Sequence, residues 1–120
     1  MSPSSRDAFE EPLLVLAAEF HNPDAYVLTL RGTADATTSD QLEDAFTRAA
    51  GQDAPLIVDL GAMTFGDATL LGLLLNAYQD TRLILVGPLT ATFQRRLSIS
   101  GTEAIFTICP SLSRALASLA

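Results

Sequence analysis

A carboxylate, a methyl group and a hydroxyl follow one another where an apolar run turns into a predicted helix, at Asp67, Ala68 and Thr69. The backbone N–H groups at a helix start can face a partner or a phosphate and favour negative charge. Thr69 has an oxygen that can accept a phosphate, whereas Ala68 has none. An Asp before an apolar helix is also an ordinary N-cap, so Asp67 is either a cap or a charged contact, or both. These residues predict a site of recognition or regulation.

Other reactive side chains in the sequence do not form an arrangement that suits catalysis. His21, the only histidine, lies in a predicted turn, and no serine or cysteine nucleophile has a base near it in sequence. Cys109, the only cysteine, is interpreted as a small apolar filler and fits a reducing compartment. No metal-ligand cluster or phosphate-binding glycine loop is present in the sequence. We therefore expect a protein that is not an enzyme and that binds neither a metal nor a cofactor.

Composition and charge favour a protein partner. The chain has 120 residues, of which 48% are hydrophobic, and this is enough to fill a core. Its formal net charge of −7 argues against binding to nucleic acid or to an anionic membrane surface. Arg95 and Arg96 are accordingly interpreted as part of a solvated helix face. No apolar run is long enough to span a bilayer, so we expect a cytoplasmic protein without direct membrane insertion.

The apolar pattern predicts a hairpin followed by alternating helices and strands. Residues 1–12 are expected to form a mobile tail, and residues 13–120 a single domain. Strands are predicted at 13–18, 26–31, 56–60, 83–86 and 105–109. Helices are predicted from a Thr37 or Thr38 cap to residue 50, over 68–78, over 90–98 and from Pro110 onward. This order is typical of an α/β domain whose mixed sheet is antiparallel at the first hairpin and parallel elsewhere.

Two carboxylates follow neighbouring strands of this predicted sheet. Asp35 comes after the second strand, and Asp67 comes after the third. Because the carboxyl ends of parallel strands meet at one edge of a sheet, we expect the two residues to share that edge.

The predicted helix over 68–78 carries more apolar surface than one contact with a sheet requires. At about 100° per residue, one stripe suits the core, and a second apolar stripe lies beside it. The second stripe is either covered by a neighbouring helix or exposed as a partner-binding patch. The first stripe contains Leu71, Leu74, Leu75 and Tyr78, and the second contains Leu70, Leu73 and Ala77.

Five short motifs in order resemble the STAS family, the small domains shared by sulfate transporters and anti-sigma factor antagonists. Residues 30–35 (LRGTAD) look like the family's strand ending in a Gly-x-x-Asp turn, and 57–60 (IVDL) look like its central strand. Residues 65–72 (FGDATLLG) are similar to its Phe-x-Asp-Ser-Ser/Thr-Gly-Leu-Gly signature. Residues 83–87 and 106–108 fit the later strands.

The resemblance implies a STAS-like mixed sheet of four to five strands with about four helices. It also implies a bacterial regulator of transcription that binds a serine-kinase-type anti-sigma factor and so releases a sigma factor. In that family the kinase phosphorylates the hydroxyl residue directly after the Asp of the signature, and here that residue is Ala68. Leu70 also replaces the first glycine of the signature.

The departure at Ala68 leaves two hypotheses for regulation. Either the chain is locked in the unphosphorylated, binding-competent form, or Thr69 is phosphorylated instead. We favour the first hypothesis. A shift of one residue turns a helical side chain by about 100°, so the Thr69 hydroxyl would be misaligned with the kinase. The expected partner-binding and regulatory residues are Asp35, Asp67, Ala68, Thr69, Leu70 and Leu73. The alternative function is that of a non-phosphorylated scaffold subunit in a transporter ATPase or a stress-signalling assembly.

Overall fold

The computed structural model describes residues 12–66 and 68–120. The strands are β1 (Leu14–Phe20), β2 (Ala25–Ala34), β3 (Leu56–Gly66), β4 (Leu83–Val86) and β5 (Thr107–Cys109). The helices are α1 (Ser39–Ala50), α2 (Ala68–Asp80), α3 (Ala91–Ser100) and α4 (Leu112–Leu119), and a 3-10 turn (Ala36–Thr38) precedes α1. The predicted mobile tail lies, apart from Pro12, outside the described residues.

The strands form one mixed sheet in sequence order, β1-β2-β3-β4-β5. β1 and β2 are antiparallel, and each later pair is parallel. A turn at residues 21–24 joins the antiparallel pair, as the Asn-Pro-Asp sequence predicted. The later connections are helical because parallel neighbours need a long crossover. This arrangement confirms the predicted α/β class, the mixed sheet and the hairpin.

The two faces of the sheet are covered differently. Alternate strand residues point to opposite faces, so Val58 joins the main core while Ile57 joins a smaller cluster. The first face is covered by α1, α2 and α3, which contribute Leu42, Leu74 and Leu97 among other side chains. The second face carries α4, whose buried residue is Ala115. Leu112, Leu116 and Leu119 pack beside Ala115.

Several boundaries differ from the sequence prediction. β2 continues to Ala34 instead of ending at residue 31, and β3 continues to Gly66 instead of ending at residue 60. Two further boundaries differ because of local hydrogen bonds. The last strand begins at Thr107 because residues 102–105 form a turn, in which the Ile105 N–H donates to the Thr102 carbonyl at 3.0 Å. The final helix begins at Leu112 because Ser111 caps it, accepting from the Arg114 N–H at 3.2 Å. Pro110 therefore precedes this helix instead of opening it.

The structure also corrects the predicted position of Tyr78. This side chain was expected in the core, but 46% of it is exposed. Its ring contacts Phe106 edge to face, with 6.1 Å between centroids. Within the described ranges, none of the helices has both the length and the apolar character needed to cross a bilayer.

Candidate partner-binding site

β2 and β3 end side by side, which places the predicted site residues that follow them at one edge of the sheet. Ala34 is paired with Gly66 in the parallel register. The 3-10 turn follows β2 immediately, and α2 begins two residues after β3. We call the rim the edge formed by Asp35, the 3-10 turn and the first turn of α2. Asp67 lies outside the described residues, so its predicted place on the rim stays a prediction.

Asp35 is held in one orientation by the turn that it caps. Its carboxylate accepts from the Thr37 N–H at 2.9 Å and from the Thr37 hydroxyl at 2.6 Å. The Asp35 N–H donates in return to the Thr38 hydroxyl at 3.0 Å, which completes a capping box. The sequence predicted Thr37 or Thr38 as the cap. Asp35 instead caps the 3-10 turn, and Thr38 occupies the N-cap position of α1 without a side-chain capping bond.

The same hydrogen bonds fix the charge of Asp35. Those from the Thr37 hydroxyl and backbone N–H hold the pKa of the Asp35 carboxyl below its usual value of 3.8, although partial desolvation opposes them. The carboxylate is therefore ionised at neutral pH. Asp35 presents a negative charge of fixed position at the rim.

The start of α2 exposes a residue that cannot carry a phosphate. Ala68 is the first residue of the helix and is exposed, and its methyl group has no acceptor oxygen. Thr69 is half-buried and engaged in an interaction within the protein. The helix step of about 100° turns its side chain away from the direction of Ala68.

Leu70 is not part of an exposed patch. Only 1% of this side chain is accessible, and it belongs to the main core. α2 lies against α1 as well as the sheet, so its second apolar stripe is covered in part by a neighbouring helix. Leu73 and Ala77 are partly buried against the same core. The interpretation of Leu70 as a partner contact is wrong, and Leu73 offers only part of its side chain to a partner.

Two hydroxyls near the ends of β2 and β3, next to the rim, were missed by the sequence prediction. Thr33 and Thr64 join their Oγ1 atoms by a hydrogen bond of 2.9 Å between β2 and β3. Thr64 is the extra residue where the pairing shifts between Gly32–Met63 and Thr33–Phe65. Gly32 has a φ of +92°, a conformation that favours glycine. Gly32 before Thr33 was the available signal, but the sequence does not indicate which residue of β3 is inserted.

Metal-ligating side chains do not cluster in the described residues. No group of three or more His, Cys, Asp or Glu side chains in residues 12–66 and 68–120 could hold a metal ion. His21 lies in the hairpin turn, 80% exposed, with its Nδ1 atom 3.6 Å from a carboxylate oxygen of Asp24. The arrangement at the rim can present charge, hydroxyls and a small methyl surface to another protein.

Comparisons with known proteins agree with this architecture. A model of the STAS domain matches residues 18–115. An anti-sigma factor antagonist from Mycobacterium paratuberculosis superimposes with a TM-score of 0.77 and 22% identity, over 90% of this chain and 94% of that one. The anti-sigma factor antagonist SpoIIAA in its unphosphorylated form gives a TM-score of 0.72 and 20% identity, over 88% of this chain and 95% of that one. The Bacillus cell fate determinant SpoIIAA in its phosphorylated form gives a TM-score of 0.68 and 19% identity, over 89% of this chain and 100% of that one.

At these identities the structural likeness shows the fold alone. No curated protein is similar enough in sequence to count as a match. The family assignment rests on the STAS model, which covers most of the chain and includes β2, β3 and the rim between them. The chain belongs to the STAS domain family.

Proposed function

We propose that this protein is a cytoplasmic anti-sigma factor antagonist that binds a serine-kinase-type anti-sigma factor through the rim and so releases a sigma factor. The observation that carries the proposal is the exposed Ala68 at the first position of α2, close to the end of β2 and the ionised Asp35. The small side chain leaves the helix start open to a partner. Asp35 supplies a charge whose direction is already set, so little conformational entropy is lost on binding.

We further propose that this antagonist is locked in its binding-competent form. A phosphate at this position would add about 1.5 to 2 negative charges beside Asp35 and oppose binding. Ala68 cannot accept one. Thr69 is a poorer acceptor than a residue at position 68 would be, because it is half-buried and already engaged. We therefore expect the protein to release the sigma factor, and we expect that a kinase of this type does not reverse this release.

Affinity purification from the native cell tests the proposed partner. The tagged wild-type chain should capture a protein with a serine-kinase fold that also binds a sigma factor. Asp35→Asn keeps an oxygen that can cap the turn but removes the charge, whereas Asp35→Ala removes both. Loss of the partner with both variants supports recognition of the charge. Full retention with Asp35→Asn contradicts it.

The missing acceptor also favours the second candidate, a scaffold subunit. A scaffold has no need of a phosphorylation switch, so Ala68 suits it equally well. An exposed apolar stripe at Leu70 would also have suited a scaffold, but Leu70 is in the core. Capture of a transporter ATPase, or of a large assembly of homologous STAS proteins, in place of a kinase would establish the scaffold and overturn the antagonist.

A further inference from the structure

One face of α3 combines positive charge with an exposed apolar side chain. Thr92, Arg95, Arg96 and Ile99 have the spacing i, i+3, i+4 and i+7, which places them on one side of a helix. Phe93 and Leu97, on the other side, are buried in the core. Ile99 is 80% exposed, more than any other large hydrophobic side chain in the described residues. The solvated face expected from the sequence therefore contains an apolar residue that water does not favour.

This face borders a groove between α3 and α2. The groove has a volume of about 360 Å³ and is lined by Leu71, Thr92, Arg95, Arg96, Ile99 and Ser100. Leu71 comes from α2 and is 8% exposed. It lies three residues after Ala68, so the two residues share one side of that helix. The groove therefore lies on the same side of α2 as Ala68.

The two arginines of the groove have no carboxylate partner in the described part of the chain. Neither Arg95 nor Arg96 takes part in the ion pairs found there. The Nε atom of Arg96 is shielded from water and has no hydrogen-bond acceptor among the described residues. Burial of an unpaired donor is unfavourable. A carboxylate that draws the Arg96 guanidinium outward would relieve this penalty and could take two N–H bonds side-on.

The positions of these arginines stand out against the charge of the whole chain. The chain carries 14 acidic residues and only seven basic ones, all arginine, and two of the seven are adjacent here. A partner that approaches this face meets positive charge on a protein whose formal net charge is −7. Charge complementarity therefore favours an acidic segment.

We propose that the groove between α2 and α3 binds an acidic, amphipathic segment of the same protein partner that binds the rim. Carboxylates of that segment pair with Arg95 and Arg96, and an apolar side chain packs on Ile99 and Leu71. The inference rests on the proposed function, since it assigns a second contact to that partner. It differs from the rim contact in chemistry, because the rim presents a negative charge and the groove presents two positive ones.

Charge reversal tests the groove against the rim. The affinity of the captured kinase is measured by titration calorimetry for the wild type, Arg95→Glu, Arg96→Glu and the control Arg114→Glu. Arg114 lies on α4, is exposed, and gives the same change in net charge. We expect each groove variant to weaken binding about tenfold or more, and the control to change it less than about twofold. Added salt should weaken wild-type binding more than that of the groove variants.

A second variant keeps the test valid if Arg96→Glu disturbs folding. Ile99→Asp changes a side chain that is 80% exposed, so we expect an unchanged unfolding midpoint and weakened partner binding. If Asp35→Ala weakens binding while all three groove variants bind like the wild type, the groove proposal is wrong and the proposed function stands. If the wild type binds no kinase of this type, the proposed function is wrong, and the groove proposal that rests on it is wrong as well.

Two further results would assign the groove to a different occupant. One is a dimer of the wild-type chain, seen by analytical ultracentrifugation, that Arg95→Glu dissociates. The other is binding to phosphatidylglycerol vesicles that Arg95→Glu abolishes. Either result would overturn the proposal of an acidic protein segment.

Discussion

Asp35 has a structural role and a proposed recognition role in the same carboxylate. Its two bonds from Thr37 hold the 3-10 turn that leads into α1. Those bonds also keep the carboxylate ionised and oriented at the rim. A side chain that is already fixed loses little conformational entropy when a partner binds. This property suits a contact that is always ready to bind.

The pKa of Asp35 predicts how the turn responds to acid. Because the folded-state pKa lies below the ordinary value of 3.8, the carboxylate contributes stability above that value. The contribution is lost as the pH falls through the lower, folded-state pKa. We expect the free energy of unfolding of the wild type to fall more steeply than that of Asp35→Asn below about pH 4. Urea unfolding at several pH values measures this, and parallel curves would contradict it.

At the scale of residues, the sequence indicated which positions matter but not their contacts. Asp35 could be selected because it follows an apolar strand and a glycine. Thr64 could not be selected as a site residue from the sequence. Its position next to the rim arises because it is the extra residue in the pairing of β3 with β2. The burial of Leu70 also depends on a neighbouring helix, which a helical pattern alone does not place.

At the scale of elements, α2 links the core to the proposed partner surface. Its first residue is exposed at the rim, and its third is in the core. The helix is covered by the sheet and by α1, while Leu71 faces the groove beside α3. This packing holds the helix start in place without any contribution from a bound partner.

Truncation of Leu70 should destabilise the protein instead of weakening partner binding alone. We expect Leu70→Ala to lower the free energy of unfolding by about 2–5 kcal/mol, because it leaves a cavity in the core. The matched control is Leu16→Ala in β1, where 49% of the side chain is exposed and the expected loss is below about 1 kcal/mol. Urea unfolding measures both. Equal, small losses would mean that Leu70 belongs to the surface.

Two glycines provide a paired test of the helices beside the groove. Gly101 ends α3 with a φ of +74°, and Gly72 lies exposed within α2. A Cβ atom would have open space at either position, so only the backbone preference differs. We expect Gly101→Ala to destabilise the protein by about 1 kcal/mol and Gly72→Ala to stabilise it by about 0.5–1 kcal/mol. Thermal unfolding measures whether each variant raises or lowers the unfolding midpoint. A shift of both midpoints in the same direction would contradict the prediction.

Elements bounded by a clear change in the apolar pattern were the ones that the sequence predicted well. The bounds of β4 match the predicted 83–86, and α1 ends at the predicted residue. Boundaries set by single hydrogen bonds were missed, as at Ser111, which caps α4 so that Pro110 precedes the helix instead of opening it. The pairing shift in β2 and β3 was also missed, because register depends on two strands at once.

At the scale of the whole molecule, the proposed contacts lie at two separate places. The rim carries the Asp35 charge and the Ala68 methyl, and the groove between α2 and α3 carries Arg95 and Arg96. A partner that meets both must present complementary charges at two places. This requirement gives specificity for one partner among related ones, because a wrong charge pattern is repelled at one of the two sites.

We propose that this chain binds a serine-kinase-type anti-sigma factor and is not switched off by it. Intact-mass spectrometry after incubation with the captured kinase and ATP tests this claim directly. Ala68→Ser and the double variant Ala68→Ser/Thr69→Ala serve as controls, because they restore a hydroxyl at the first position of α2. We predict no added phosphate on the wild type and one phosphate on each control. A wild-type chain that gains a phosphate, with Thr69 as its site, would contradict the account.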